Sequence, residues 1–155
     1  MTPNRLLTCA AVLTAALTTG ARQEPAGPPP SPASRPAVRK LLDDYTRLYA
    51  GPTLQEWRRL LHPRLAVFDP RPDGSVRARG IEEFFAAQEA YFASGRAIHE
   101  RLEHVRVEEG RRIARVCADF VFVDEGRERP GKLGLHLAEG EAGWQVVGIL
   151  FSYDE

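Results

Sequence analysis

The chain has 155 residues, 43% hydrophobic and 27% charged, which fits one soluble domain with short appendages. Lys+Arg and Asp+Glu both number 21, so the formal net charge is 0 and no broad basic nucleic-acid surface or acidic tail is expected. Two cysteines, Cys9 and Cys117, allow at most one bridge, and no apolar run reaches the ~18–20 residues of a membrane span.

The first 21 residues read as an export signal. Arg5 is the basic flank, residues 6–17 are a 12-residue apolar stretch, and Thr18-Thr19-Gly20-Ala21 offers small residues for cleavage. Removal places the protein in the periplasm or outside the cell and leaves Cys117 without a partner. Residues 22–36 hold six prolines among 15 residues and no large apolar side chain. They read as an extended, disordered linker. The folded domain is therefore expected over 37–155, long enough for one hydrophobic core.

Pro36 suits the first turn of a helix, and Val38, Leu41, Leu42, Tyr45, Leu48 and Tyr49 follow at helical spacing. Gly51-Pro52 stops it. Thr53 to Glu56 forms a capping box for a second helix carrying Leu54, Trp57, Leu60 and Leu61, predicted to end at His62-Pro63. Leu65 to Asp69 reads as a short strand, and residues 70–75 as a turn centred on Asp73-Gly74. A third helix runs from Ile81 to Phe92, with Ile81, Phe84, Phe85, Gln88, Tyr91 and Phe92 on one side, and Gly95 ends it.

The period then changes from helix to strand. Ile98–Glu108, Arg112–Asp124, Lys132–Ala138 and Trp144–Tyr153 read as an antiparallel meander with turns at Gly110, Gly126 and Gly140–Gly143. A phase break between Leu102 and Val105 predicts a bulge. Helices before strands indicate an α+β domain with helices on one face of an antiparallel sheet.

This order resembles the cone-shaped fold of the nuclear-transport-factor-2-like superfamily, with its SnoaL-like and ketosteroid-isomerase-like members. The resemblance is carried by Val67-Phe-Asp69-Pro70 with the following turn, Arg79-Gly-Ile-Glu-Glu-Phe84, and the last strand Gly143–Ser152. It implies a curved antiparallel sheet that encloses a pocket with three helices. In ketosteroid isomerases a tyrosine on the first helix donates a hydrogen bond to the developing enolate. An aspartate on the first strand shuttles the proton. Leu41-Leu-Asp-Asp-Tyr45 and Ala66-Val-Phe-Asp69-Pro70 are similar to those two stretches and keep their separation. The isomerases' third group is a protonated aspartate. The corresponding stretch, Lys132–His136, has Gly134 or Leu135 there. Loss of one oxyanion donor costs on the order of 10²–10³ in rate.

The residues themselves leave two readings open. Leu65, Val67 and Asp69 alternate onto one strand face, so Asp69 is expected among hydrocarbon, a setting that disfavours charge and suits a proton shuttle. It equally fits an exposed strand-end aspartate that starts a turn. Tyr45 lies on the apolar face of the first helix, as a pocket hydrogen-bond donor or as core. Tyr49, Phe85, Phe120 and Phe122 would line an apolar cavity or fill a core. His62, His99, His104 and His136 are scattered, so no metal site is expected, and no phosphate or dinucleotide loop is present. One function is an isomerase, cyclase or dehydratase that uses no cofactor, with Asp69 as base and Tyr45 as donor on a small apolar molecule. The alternative is a non-catalytic ligand-binding or interaction domain. A homodimer is expected through the outer sheet face, where Arg115, Cys117, Asp119, Val121 and Val123 would lie.

Overall fold

The computed structural model describes residues 35–154. The export signal and residues 22–34 of the linker lie outside them. Arg35 and Pro36, expected at the end of the linker, belong to the fold. Helix α1 spans Pro36–Leu48 and starts with the Arg35 carbonyl accepting from the Val38 and Arg39 amides. The Arg35 guanidinium donates to the Arg111 carbonyl at 2.9 Å, which ties α1 to the far β-hairpin.

A 3₁₀ turn at Gly51–Thr53 leads into α2, Leu54–Arg59. This helix stops earlier than its apolar period suggests. Leu61 already pairs with Val146 of the last strand, and the Val146 amide donates to the Leu60 carbonyl at 2.9 Å. Strand pairing therefore takes over before Pro63. That proline sits in an irregular stretch between Leu61 and Ala66, where a missing ladder donor is tolerated.

Strand β1 is Leu61–Pro70, β2 is Val76–Gly80 and α3 is Ile81–Ala93. Then come β3, Ile98–Glu109; β4, Ile113–Asp124; β5, Arg127–Gly140; and β6, Gly143–Tyr153. The sheet order is β2-β1-β6-β5-β4-β3. The sheet is curved, open and packed on one face by the three helices, as the α+β reading requires. It is mixed rather than antiparallel throughout, because β1 runs parallel to β6. The chain between those strands carries the whole meander, a crossover that the local pattern of β1 does not encode.

The predicted bulge is present. Pairing of β3 with β4 shifts between Glu103 and Arg106, and His104 takes a φ of +49° there. The extra residue lets Leu102 and Val107, five positions apart, both pack on the core face. The core joins Val38, Leu41 and Leu48 of α1 to Val67, Val116, Leu135, Leu137 and Val146 of the sheet. Full burial of such side chains supplies roughly 1.5–3 kcal/mol each.

Candidate functional site

The helices do not cover the whole inner face. Towards the β1–β2 hairpin they leave a cavity of about 890 Å³. Tyr45 from α1, Tyr49 directly after it, and Phe120 and Phe122 from β4 line it, as the sequence suggested. Phe85 does not. Phe84, Gln88 and Tyr91, at i, i+4 and i+7, face the cavity. Phe85 lies about 100° round the helix, 1% exposed, beneath the guanidinium of Arg58 at 4.7 Å. The six grouped residues span about 120° of the helix, and only the Phe84 edge of that arc faces the cavity.

Close approach of backbone and ring shapes the floor. Gly131 of β5 stands opposite both Phe120 and Tyr153. A Cβ at Gly131 would lie 2.3 Å from the Ser152 carbonyl oxygen and 2.4 Å from the Phe120 ring. Only glycine lets Phe120 lie flat there, 5.3 Å from the Tyr153 ring. On the helical side, Trp57 packs 5.4 Å from Tyr45 and 5.1 Å from Tyr49, and Tyr49 donates to the Gln88 amide oxygen.

Asp69 is in the cavity wall with its side chain 14% exposed, the inward one of the two placements its position left open. Its surroundings are not hydrocarbon. Strand β2, to which the sequence reading gave no element, pairs with β1 so that Arg77 stands opposite Asp69 and Arg79 opposite Val67. The Arg79 guanidinium lies 3.5 Å from Asp69 and that of Arg71 lies 3.6 Å away. Val-Arg-Ala-Arg-Gly has too few apolar residues to signal a strand, yet charged residues pointing inward are common on such an edge.

The group that sequence reading missed is Glu100. It is on β3, directly opposite Phe122, and so shares the inner face with the two β4 phenylalanines. It is half-buried, and it lines the cavity. Among the described residues it has no hydrogen-bond or ion-pair partner. Desolvation pushes its pKa up to about 7. Its charge is close enough to Tyr45, Tyr49 and Tyr153 to add to the rise of their hydroxyls. Burial is the larger cause for all three, and it takes Tyr153 to about 12 and the others further. The signal was available: Ile98, Glu100 and Leu102 alternate, and the two flanking residues are apolar.

Among the described residues no group of three or more His, Cys, Asp or Glu side chains could hold a metal ion. None of the described helices is long and apolar enough to cross a membrane. The profile of the SnoaL-like domain matches residues 38–153. The chain belongs to the SnoaL-like family. Solved structures similar to this SnoaL-like domain show the same fold at low identity. An NTF2-like protein from Shewanella baltica is 15% identical, with a TM-score of 0.59 over 77% of this chain and 92% of the other. The Kfla4162 protein from Kribbella flavida is 14% identical, with a TM-score of 0.63 over 77% and 89%. A provisionally assigned dehydratase of the NTF2-like family from Streptomyces avermitilis is 14% identical, with a TM-score of 0.63 over 77% and 94%. No curated protein matches the sequence. Such likeness shows the fold of the SnoaL-like domain, and its chemistry rests on the cavity.

Proposed function

We propose that the cavity catalyses proton transfer on a small organic molecule with an acidic carbon, as in isomerisation or loss of water. Glu100 accepts the proton and returns it, and Tyr45 donates a hydrogen bond to the oxygen on which charge develops. The observation that carries this reading is the unpartnered Glu100, raised to about 7 beside tyrosines that keep their protons. A general base works best with a pKa near the working pH, where it is both available and able to release the proton again. Tyr45, with its pKa driven up by burial, stays a donor throughout the physiological range. Asp69, the sequence's candidate for the base, faces two guanidinium groups and is assigned the task of holding Arg79 in the wall.

Deuterium uptake from D₂O into the α-carbons of cyclic ketones, aryl ketones and keto acids, followed by NMR, tests this reading. At least one compound should exchange in an enzyme-dependent way, with a rate that rises through about pH 7 as Glu100 ionises. Glu100→Gln should lower that exchange by roughly 10²–10⁴. No exchange with any compound, or exchange undiminished in Glu100→Gln, overturns it. Saturable binding without exchange would favour a ligand-binding domain.

The proposal extends to location and assembly. An export signal over residues 1–21 would put the mature start at Arg22, which the intact mass of the exported protein tests. A homodimer through the outer sheet face would rest on Phe68, Val105 and Leu150, which are 41%, 43% and 50% exposed. Val121 and Val123, expected to contribute, are buried, and the Arg101–Glu128 ion pair of 2.9 Å reaches across the strand that holds them. A monomer by light scattering at tens of micromolar would contradict it.

A further inference from the structure

The cavity has two unlike walls. One is aromatic, built from Tyr45, Phe120, Phe122 and Tyr153. The other carries arginines, with Arg71, Arg77 and Arg79 from the β1–β2 hairpin and Arg129 from β5. Two of these are occupied locally. Arg77 is bound to Glu83, and the Arg129 guanidinium lies 3.8 Å over the Tyr153 ring.

Arg71 and Arg79 share a single carboxylate, Asp69, so one of these two guanidinium groups has no counter-charge of its own. Both separations, 3.6 and 3.5 Å, are longer than a charge-assisted hydrogen bond. Arg79 is the unusual one. Its side chain is 7% exposed, and its guanidinium sits 5.2 Å over the Phe84 ring. Its Nε is buried without a hydrogen-bond partner, as is Asp69 Oδ1 beside it. A buried guanidinium presents five donors in a rigid fork, and leaving them unmatched costs free energy. An orphaned donor in a cavity wall is a place where an acceptor from outside the chain fits.

We infer that the molecule taken by this cavity is an amphiphilic monocarboxylate. Its carboxylate binds Arg79 and Arg71 at the hairpin, and its aromatic or alicyclic body lies against Tyr45, Phe120 and Phe122. The planar fork of arginine matches a carboxylate by two parallel hydrogen bonds. The one counter-charge missing between Arg71 and Arg79 suits a monoanion. A phosphate dianion would bring a second negative charge into the cavity that holds Glu100. The assignment rests on the proposed reading of this cavity as the substrate site, and it narrows the expected small apolar molecule to an acidic one.

Isothermal titration of the folded protein with 2-naphthoate and its neutral isostere 2-naphthamide tests it near pH 6, where Glu100 is mostly protonated. The naphthoate should bind at least about tenfold more tightly, the worth of a charge-assisted pair. Arg79→Met should erase the preference while naphthamide affinity is kept. Should Arg79→Met fail to fold, Arg71→Gln should reduce the preference, because the Arg71 side chain, 41% exposed, faces the same carboxylate. Glu100→Gln should retain it. Equal affinities, tighter naphthamide, no binding of either compound, or a preference indifferent to both arginine variants overturns the assignment. A naphthoate preference without deuterium exchange on any ketone would keep the acidic ligand and refute the catalytic reading.

Discussion

On the outer face of the sheet, Asp119 of β4 holds His104 at 2.9 Å and Lys132 at 2.8 Å, while Arg115 meets Glu108 at 2.9 Å. On the inner face of β3, Glu100 has no such partner, and Arg71 and Arg79 divide one carboxylate between them. The outer charges are mutually satisfied and reach water, so they solubilise the face and demand nothing further. The inner charges are held where desolvation is costly and pairing incomplete. That difference separates surface chemistry from a site.

The largest expected effect of breaking the contrast is on catalysis. Glu100→Gln keeps the shape and removes the proton acceptor, so exchange should fall by roughly 10²–10⁴. Tyr45→Phe should follow with a loss on the order of 10²–10³ in rate and an intact fold. Near-ultraviolet circular dichroism separates these losses from misfolding.

Stability carries the next effect, with its sign fixed by burial. The folded pKa of Glu100 is about 7 against 4.5 for a free carboxyl, so between these values the native state binds more protons than the unfolded chain. Stability is therefore greatest below about pH 4.5 as far as this group is concerned, and is lost as pH rises through about 7. The full loss is about 3 kcal/mol. Glu100→Gln should remove that slope and be more stable than the wild type at pH 8 in urea titrations. Equal slopes for both proteins would mean that Glu100 is well solvated.

Gly131→Ala attacks the floor instead of the charge. The added methyl meets a backbone oxygen that cannot step aside, and a cost of about 1–3 kcal/mol is expected in thermal unfolding. Displacement of Phe120 should weaken ligand binding too. Lys132→Ala on the outer face should leave both exchange and Tm unchanged, because its pair with Asp119 is solvent-exposed. A loss of activity in that variant would erase the distinction between the faces.

The legible parts of the molecule were those with a strong local period. The amphipathic face of α1, the meander and its bulge at His104 follow from spacing alone, while spacing left Asp69 open between the cavity and an exposed strand end. Strand β2 was hidden because Val-Arg-Ala-Arg-Gly lacks an apolar alternation, and with it went the arginines that surround Asp69. Phe85 was expected in the cavity because helical spacing gives the apolar side of α3 and not which edge of it meets a cavity and which meets the core. Glu100 was overlooked because β3 is rich in charge; Arg101, Glu103 and Arg106 beside it disguise a strand whose alternate positions point inward. The parallel pairing of β1 with β6 joins residues some 80 apart, beyond the reach of any local pattern.

Titration of the Glu100 carboxyl by ¹³C NMR, assigned against Glu100→Gln, tests the central claim most directly. The account predicts a midpoint of about 7, because burial in a cavity without a partner disfavours the carboxylate. A midpoint at or below the free carboxyl value of 4.5 would place Glu100 in water or in an ion pair and contradict its role as the proton acceptor.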